Sequence, residues 1–246
     1  MTLAEILHPS CALFLDFDGT MVDIAAQPQA VHVPGPLIGV LQDLLRHLGG
    51  AMAVISGRPI VQIDEFLEPL QLAVAGVHGS ERRSANGEMH LLHTHPLDHV
   101  EAAARALAAA NAGLLVENKR GSLALHYRQR PELEALCLDA MQRAVDESPG
   151  LTLLRGKMVA EAKPGGASKG RAIEEFLAEP PFSGRQPVFI GDDITDEVGF
   201  STVQRLGGMG IKVGEGSTVA WHRLPDPATL RSELEAALAG RSARTP

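Results

Sequence analysis

Two carboxylates follow a short apolar segment near the N-terminus. Residues 13–20 read Leu-Phe-Leu-Asp-Phe-Asp-Gly-Thr, which places Asp16 and Asp18 at the end of a predicted buried strand. An Asx-type turn would account for Asp18 and Gly19, but it gives no reason for Asp16, one pleat repeat earlier on the same side. Acids in such a place are costly to desolvate unless a cation or a reaction partner is present. Asp16 and Asp18 are therefore the first candidate cluster.

Three more polar clusters follow along the chain, each beside the end of a predicted core strand or the start of a core helix. They are Ser56-Gly57-Arg58, Lys169, and Asp192 with Asp193 and Asp196. Open parallel sheets bind ligands at the carboxyl ends of their strands. Carboxylates from two such strands make a hard oxygen site suited to Mg²⁺. The clusters contain no histidine or cysteine, which disfavours zinc.

These residue types suit phosphoryl transfer. A carboxylate can attack phosphorus and so divide hydrolysis into two steps. Repulsion opposes the attack, since a carboxylate and a dianionic phosphate ~4 Å apart repel by about 8 kcal/mol at an effective dielectric constant near 20. A divalent cation, Lys169, the Ser56 hydroxyl and backbone amides after Phe17 would offset that repulsion. Asp18 could then protonate the leaving oxygen and later accept a proton from water.

The elements around these clusters alternate between strand and helix. Gly49-Gly50 ends one predicted helix and Pro59 suits the first turn of another. Alternation of this kind predicts a parallel sheet with right-handed crossovers. The first predicted core strand ends at Leu15, and the others cover 51–55, 72–75, 187–190 and 210–213. Predicted helices begin near residues 37, 59, 168 and 195, and a closing helix covers 227–239.

The middle of the chain has a different rhythm. A hairpin-like turn at 85–87 is followed by two predicted helices, about 97–111 and 131–147, and by strands with short connections. This pattern favours an antiparallel sheet backed by two helices. We therefore predict an α/β protein with a doubly wound parallel-sheet (Rossmann-like) hydrolase core, residues 1–77 and 167–246, and an inserted α+β cap domain, residues 78–166.

Composition limits the class of protein. The chain has 246 residues, 45% of them apolar and 21% charged, which is ordinary for a globular protein. A formal net charge of −8 argues against a nucleic-acid partner. No apolar segment is long enough for a membrane helix, and the N-terminus lacks the pattern of a signal peptide. Two cysteines do not make a disulfide framework, so we expect a cytoplasmic protein.

The four clusters resemble, in order, the four motifs of the haloacid-dehalogenase-like phosphatases. The resemblance implies that Asp16 is the nucleophile and Asp18 the general acid/base. It also implies a phosphate site and a metal site. The phosphate would be held by Ser56, Gly57 and Lys169, and Mg²⁺ by Asp16, the backbone carbonyl of Asp18, and Asp192, with Asp193 nearby.

Further motifs over residues 12–225 resemble the trehalose-6-phosphate phosphatase family. They include Gly76-Val-His78-Gly79-Ser-Glu81 and Glu161-Ala-Lys163-Pro164. The resemblance implies a sugar-phosphate substrate whose hydroxyl groups are bound largely by the cap. The residues implicated are His78, Glu117, Lys119, His126, Arg128, Glu161 and Lys163.

Other interpretations stay open at this point. His126 and Arg128 could form an ordinary solvated strand face, and Glu161 with Lys163 a surface ion pair. The substrate could be another sugar phosphate, such as sucrose phosphate or a mannosyl-glycerate phosphate. A phospho-acceptor signalling domain or a non-catalytic sensor are alternatives from other classes. The sequence does not specify the oligomeric state, and a monomer is compatible with it.

Overall fold

The structure is a computed structural model that describes residues 2–25, 27–91, 96–119 and 121–242. Its contacts divide the chain into two compact units. The core consists of Met1–His90 and Ser168–Pro246, and the insert consists of Leu91–Ala167.

Strands and helices occur throughout both units. In chain order the strands of the described residues are β1 (Cys11–Leu15), β2 (Met52–Ile55), β3 (Ala73–Gly76), β4 (Glu81–Arg83), β5 (Met89–Leu91), β6 (Leu115–Lys119), β7 (Ser122–His126), β8 (Leu151–Gly156), β9 (Val159–Pro164), β10 (Gln186–Gly191), β11 (Met209–Val213) and β12 (His222–Leu224). The α-helices are α1 (Leu3–Ile6), α2 (Gly35–His47), α3 (Ile60–Leu67), α4 (Asp98–Ala110), α5 (Glu134–Asp146), α6 (Lys169–Leu177), α7 (Glu197–Arg205) and α8 (Pro227–Ser242). Short 3₁₀ turns cover Pro28–Ala30, Val77–Gly79, Pro131–Leu133 and Ile194–Asp196.

An eight-stranded sheet organises the core, in the order β12-β11-β10-β1-β2-β3-β4-β5. The first six of these strands are mutually parallel, as the alternating pattern predicts. All five residues of β1 are buried, because helices cover both faces of its sheet. Successive β1 side chains enter opposite layers: Leu13 and Leu15 join an aliphatic layer. Phe14 joins a layer of phenylalanine and alanine, where its ring lies 5.6 Å from that of Phe182.

The boundary of the insert differs from the prediction. β4 pairs antiparallel with β3, and β5 follows β4 at the sheet edge. The tight turn Val77–Gly79 reverses the chain, so this hairpin extends the core sheet instead of leaving it. The insert therefore begins at Leu91 and not at residue 78, while its end at Ala167 lies one residue beyond the predicted one. Residues 92–95 of the predicted hairpin region lie outside the described residues.

The insert has the predicted α+β architecture. Its antiparallel sheet has the order β6-β7-β9-β8. One face is apolar: Leu123 and Leu125 of β7 pack with α4 and α5 residues such as Val100 and Met141. The tyrosine of the chain, Tyr127, is buried here and its hydroxyl donates to Glu134 Oε1 at 2.9 Å.

Local sequence signals explain how the chain returns to the core. Ser168 caps α6, as predicted, because its side-chain oxygen accepts a hydrogen bond from the amide of Arg171 at 3.1 Å.

The short edge strand β12 was not predicted. It follows Trp221, the tryptophan of the chain, whose side chain is exposed. Within the described residues, none of the helices is both long and apolar enough to cross a membrane.

Candidate active site

Four adjacent strands end beside one another at the carboxyl edge of the core sheet. In the order β10-β1-β2-β3, these ends are followed by Asp192, Asp16, Ser56 and, after Val77, His78. The strands are parallel, so the polar side chains meet at one edge without long loops. Asp16 is held there by its backbone, since its amide donates to the Ile190 carbonyl at 2.9 Å.

Lys169 joins two of the acids. Its Nζ donates to Asp16 Oδ1 at 2.7 Å and to Asp196 Oδ1 at 2.6 Å. All three side chains are almost completely buried. Burial raises the pKa of the Asp16 carboxyl well above its usual value, and the Lys169 charge offsets only part of that increase. Burial opposes the charge of Lys169, yet Asp16 and Asp196 raise the pKa of its ammonium group.

Asp196 anchors this arrangement. Its Oδ1 accepts from Lys169, and its Oδ2 accepts the backbone amides of Asp192 at 3.0 Å and Asp193 at 2.8 Å. Both oxygens are thus engaged by protein donors. The sequence grouped Asp196 with its neighbours, but its role in holding Lys169 was not predicted. Asp193 instead lies at the N-terminal cap of the following 3₁₀ turn.

Asp16, Asp192 and Asp196 form a compact acidic cluster. One oxygen of each lies within 4.8 Å of the other two. The Thr20 hydroxyl lies 3.2 Å from Asp16 Oδ2 and 3.4 Å from Asp192 Oδ1. Burial and, to a smaller extent, the nearby Asp196 raise the pKa of Asp192 to about 6, although the Lys169 charge opposes this increase. An all-oxygen, electron-rich donor set fits Mg²⁺.

Gly19 allows the first and last clusters to approach closely. A Cβ at this position would lie 2.2 Å from Asp192 Oδ2, so a side chain here would force the Asp192 carboxylate to move. Its φ of +78° also favours glycine. The Asp-Gly pair is therefore required by the packing against Asp192 as well as by its turn.

The Asp18 side chain lies apart from this acidic cluster. Arg58 donates to both of its oxygens, Nε to Oδ2 at 2.6 Å and Nη2 to Oδ1 at 2.7 Å. The Ser56 hydroxyl oxygen is buried and accepts the Arg58 amide at 3.1 Å. Arg58 was noted in the sequence only as part of the Ser-Gly-Arg cluster, and its pairing with Asp18 was not predicted.

The polar residues predicted in the insert lie mostly on one face of its sheet. The register pairs Glu117 with Ala124, and Ala124 with Glu161, which puts these side chains on the face opposite Leu123 and Leu125. Glu161 Oε2 accepts from Lys119 Nζ at 3.0 Å and its Oε1 accepts from Ser122 at 2.7 Å. Glu161 is buried and pairs with Lys119, so this ion pair is not a solvent-exposed one.

The other predicted insert residues differ in their surroundings. His126 Nε2 lies 2.8 Å from Glu117 Oε2. Burial favours the neutral form of Glu117, but this hydrogen bond together with the charges of Lys119 and His126 outweighs it and lowers the pKa of the carboxyl. Lys163 is buried and its Nζ donates to the Ala167 carbonyl; desolvation lowers its pKa. Arg128 is exposed and lies beyond the end of β7, so the strand face predicted for it ends at His126.

Comparison with known proteins is consistent with these motifs. The sequence model of the trehalose-phosphatase family matches residues 14–227. Trehalose-6-phosphate phosphatase of Escherichia coli is 43% identical over 237 residues, which cover 96% of this chain and 89% of that protein. A probable trehalose-phosphate phosphatase of Sinorhizobium fredii is 42% identical and covers 92% of this chain and 86% of its own.

Solved structures show the same fold. The C-terminal domain of a trehalose-6-phosphate phosphatase from C. albicans superposes with a TM-score of 0.86 at 20% identity, over 94% of this chain and 93% of that one. The fold is also found in haloacid-dehalogenase-like hydrolases, as the four clusters predict. With its family motifs extending through both the core and the insert, this chain belongs to the trehalose-phosphatase family.

Proposed function

We propose that the protein is a Mg²⁺-dependent phosphomonoesterase that hydrolyses trehalose 6-phosphate to trehalose and phosphate. The observation that carries this proposal is Asp16, a buried carboxylate at a strand end with one oxygen on Lys169 and the other beside Thr20. The similarity to named trehalose-6-phosphate phosphatases supplies the substrate.

Asp16 is the nucleophile of the first step. A carboxylate oxygen of Asp16 forms a bond to phosphorus as the bond from phosphorus to the sugar oxygen breaks. Lys169 orients Asp16 and places a positive charge next to the phosphoryl oxygens, where negative charge must be stabilised. Ser56 and the Gly57 backbone contribute further phosphate contacts from the neighbouring strand.

Asp18 is the general acid in the first step and the general base in the second. It gives a proton to the leaving sugar oxygen, and in the second step it takes one from the water that attacks phosphorus and releases Asp16. Arg58 holds both Asp18 oxygens and so orients the carboxylate, while a second lone pair on each oxygen stays available to exchange a proton.

Mg²⁺ would be held by Asp16, the Asp18 carbonyl and Asp192. When bound, it would neutralise part of the charge of the phosphate and of the carboxylates. Asp196 is a poor candidate for direct binding, since Lys169 and two amides already engage its oxygens. We assign it the positioning of Lys169.

We assign sugar recognition to the insert. Its polar sheet face combines acceptors on Glu117 and Glu161 with donors on Lys119 and Lys163, and sugar hydroxyls need both kinds of partner. Lys119 and Ser122 fix the Glu161 carboxylate, which reduces the entropy lost on binding. A cytoplasmic location stays a prediction.

Phosphate release from a panel of sugar phosphates, with and without Mg²⁺, tests this function. The panel should include trehalose 6-phosphate, sucrose phosphate and a mannosyl-glycerate phosphate. We expect turnover to be fastest on trehalose 6-phosphate, to stop after chelation, and to be lost in Asp16→Asn. Asp43→Asn, an exposed control on α2, should retain it. Faster hydrolysis of another sugar phosphate would reassign the substrate, and an active Asp16→Asn would exclude Asp16 as nucleophile.

A further inference from the structure

The turn after β3 has an unusual backbone. Val77 has a φ of 49° and His78 a φ of 53°, and Gly79 continues the left-handed run at 95°. Glycine adopts such angles freely and histidine does so more often than most residues, but for a β-branched valine they are a genuine outlier. Strain of this kind persists only where the surrounding structure over-determines it, and it concentrates at functional sites.

Contacts within the core hold this turn in place. The Val77 amide donates to the Arg58 carbonyl at 3.0 Å and the His78 amide to the Ser56 carbonyl at 2.9 Å. On the other side, a Cβ on Gly79 would lie 3.0 Å from the Ser168 carbonyl oxygen, at the start of α6. The turn therefore lies between the Ser56–Arg58 segment and the helix that begins with Lys169.

The His78 imidazole packs against Gly57. A Cβ built on Gly57 would lie 2.6 Å from His78 Nε2 and 2.7 Å from its Cε1. Gly57 does not have a left-handed φ, so its backbone alone does not require glycine. What excludes a side chain at this position is the ring of His78.

We propose that His78, which lies in the core unit, is a positioning residue for phosphate binding and not the sugar contact that the family resemblance implies. The strained turn presses the imidazole onto Gly57 and so fixes the Ser56–Gly57 backbone relative to Lys169. A turn without this task could use glycine at residue 78 with less strain. The inference rests on the proposed function, because it takes Ser56, Gly57 and Lys169 as the groups that hold the phosphate.

Binding of inorganic phosphate in the presence of Mg²⁺, measured by calorimetry, tests this role independently of turnover. His78→Asn keeps a residue that tolerates the left-handed backbone but removes the ring, and His78→Gly removes both ring and strain. Both variants should melt at or above the temperature of the parent. Their phosphate dissociation constants should rise about tenfold or more, and kcat/KM should fall by a similar factor on trehalose 6-phosphate and on p-nitrophenyl phosphate.

A double variant tests the contact itself. Gly57→Ala alone should weaken phosphate binding, because its methyl group meets the imidazole. In Gly57→Ala with His78→Gly the ring is gone, so the two losses should be clearly less than additive. Additive losses would contradict the contact.

Two other results would overturn the proposal. One is a phosphate dissociation constant within twofold of the parent in both single His78 variants. The other is failure of both to fold, which would make His78 a structural residue. If the parent releases no phosphate from any ester, the proposed function fails instead, and the calorimetric comparison still decides the role of His78.

Discussion

Arg58 donates two hydrogen bonds to the carboxylate of Asp18, from Nε to Oδ2 at 2.6 Å and from Nη2 to Oδ1 at 2.7 Å. The guanidinium group also lies over the rings of Phe17 and Phe66, with its carbon 5.7 Å and 5.0 Å from their centroids. Arg58 is nearly buried, whereas Asp18 remains partly accessible. Arg58, packed against two aromatic rings, therefore restricts the orientation of Asp18, the proposed general acid/base.

Arg58→Lys should separate charge from geometry. Lysine keeps the positive charge but has neither the planar fork nor the stacking surface of arginine. We expect kcat to fall about tenfold with little change in KM, since the lost interaction orients Asp18 and does not bind substrate. Steady-state kinetics measure this, with Arg46→Lys, in an exposed ion pair on α2, as the control. An unchanged kcat would mean that the fork is dispensable.

Asp192→Ala should weaken Mg²⁺ binding more than Glu197→Ala. Asp192 lies beside Asp16 and Thr20, whereas Glu197 accepts the Val219 amide at 2.8 Å and holds a loop. The Mg²⁺ concentration that gives half-maximal activity should rise at least tenfold for Asp192→Ala, an effect of about 1.4 kcal/mol. For Glu197→Ala it should stay close to that of the parent. Equal shifts for both variants would refute the ligand assignment.

Asp192 should destabilise the metal-free protein increasingly as the pH rises through the acidic range. Burial raises the pKa of Asp192 from its ordinary 3.8 to about 6 in the folded protein, so folding disfavours its charged form. This penalty is absent below about pH 4 and complete above about pH 6. Asp192→Asn should therefore become more stable relative to the parent over that interval, by about 1–2 kcal/mol after allowance for solvent.

Urea unfolding at several pH values with a chelator present measures this difference. Saturating Mg²⁺ should reverse it, because the cation stabilises the parent and lacks its Asp192 ligand in the variant. A difference in stability that does not change with pH would show that Asp192 is not destabilised by its surroundings.

Glu161→Ala should impair one substrate selectively. Its carboxylate lies on the polar face of the insert, fixed by Lys119 and Ser122. Loss of a charged hydrogen-bonding partner costs ~1.5–3 kcal/mol, about ten- to a hundredfold in kcat/KM on trehalose 6-phosphate. Turnover of p-nitrophenyl phosphate, which has no sugar, should barely change.

Asp139→Ala is the matched control for this experiment. Asp139 is an exposed acid of the same unit on α5, which packs behind the apolar face of the sheet. It should leave both substrates unaffected. An equal loss on both substrates in Glu161→Ala would place Glu161 in the fold or the chemistry and remove the main support for its role in sugar recognition.

The fold could be predicted where the pattern of apolar residues was local. The fully buried run before Asp16 and the glycine and proline signals around α2 and α3 located the parallel strands. The β4 hairpin was placed in the wrong unit, because a hairpin signal does not say which sheet the hairpin joins. That choice depends on the left-handed turn at Val77 and His78, which a β-branched valine disfavours.

The sequence predicted which side chains lie together at the edge of the sheet, but not which of them pair. The ends of β1, β2 and β10 fixed Asp16, Ser56 and Asp192 as neighbours through the parallel register. The pairing of Arg58 with Asp18 and of Glu161 with Lys119 was not predictable. Such pairs depend on rotamers and on distances between segments far apart in sequence.

The hydrogen bond from Tyr127 to Glu134 has a spectroscopic consequence. Tyr127 is the sole tyrosine of the chain and lies in the insert, and Trp221 is its sole tryptophan and lies in the core. A phenol that donates to a carboxylate emits weakly, and burial with Glu134 also raises the pKa of Tyr127 to about 12. The fluorescence of Tyr127 should therefore increase when the insert unfolds. The fluorescence of Trp221, excited selectively, should report the unfolding of the core. Each unit thus carries its own optical reporter.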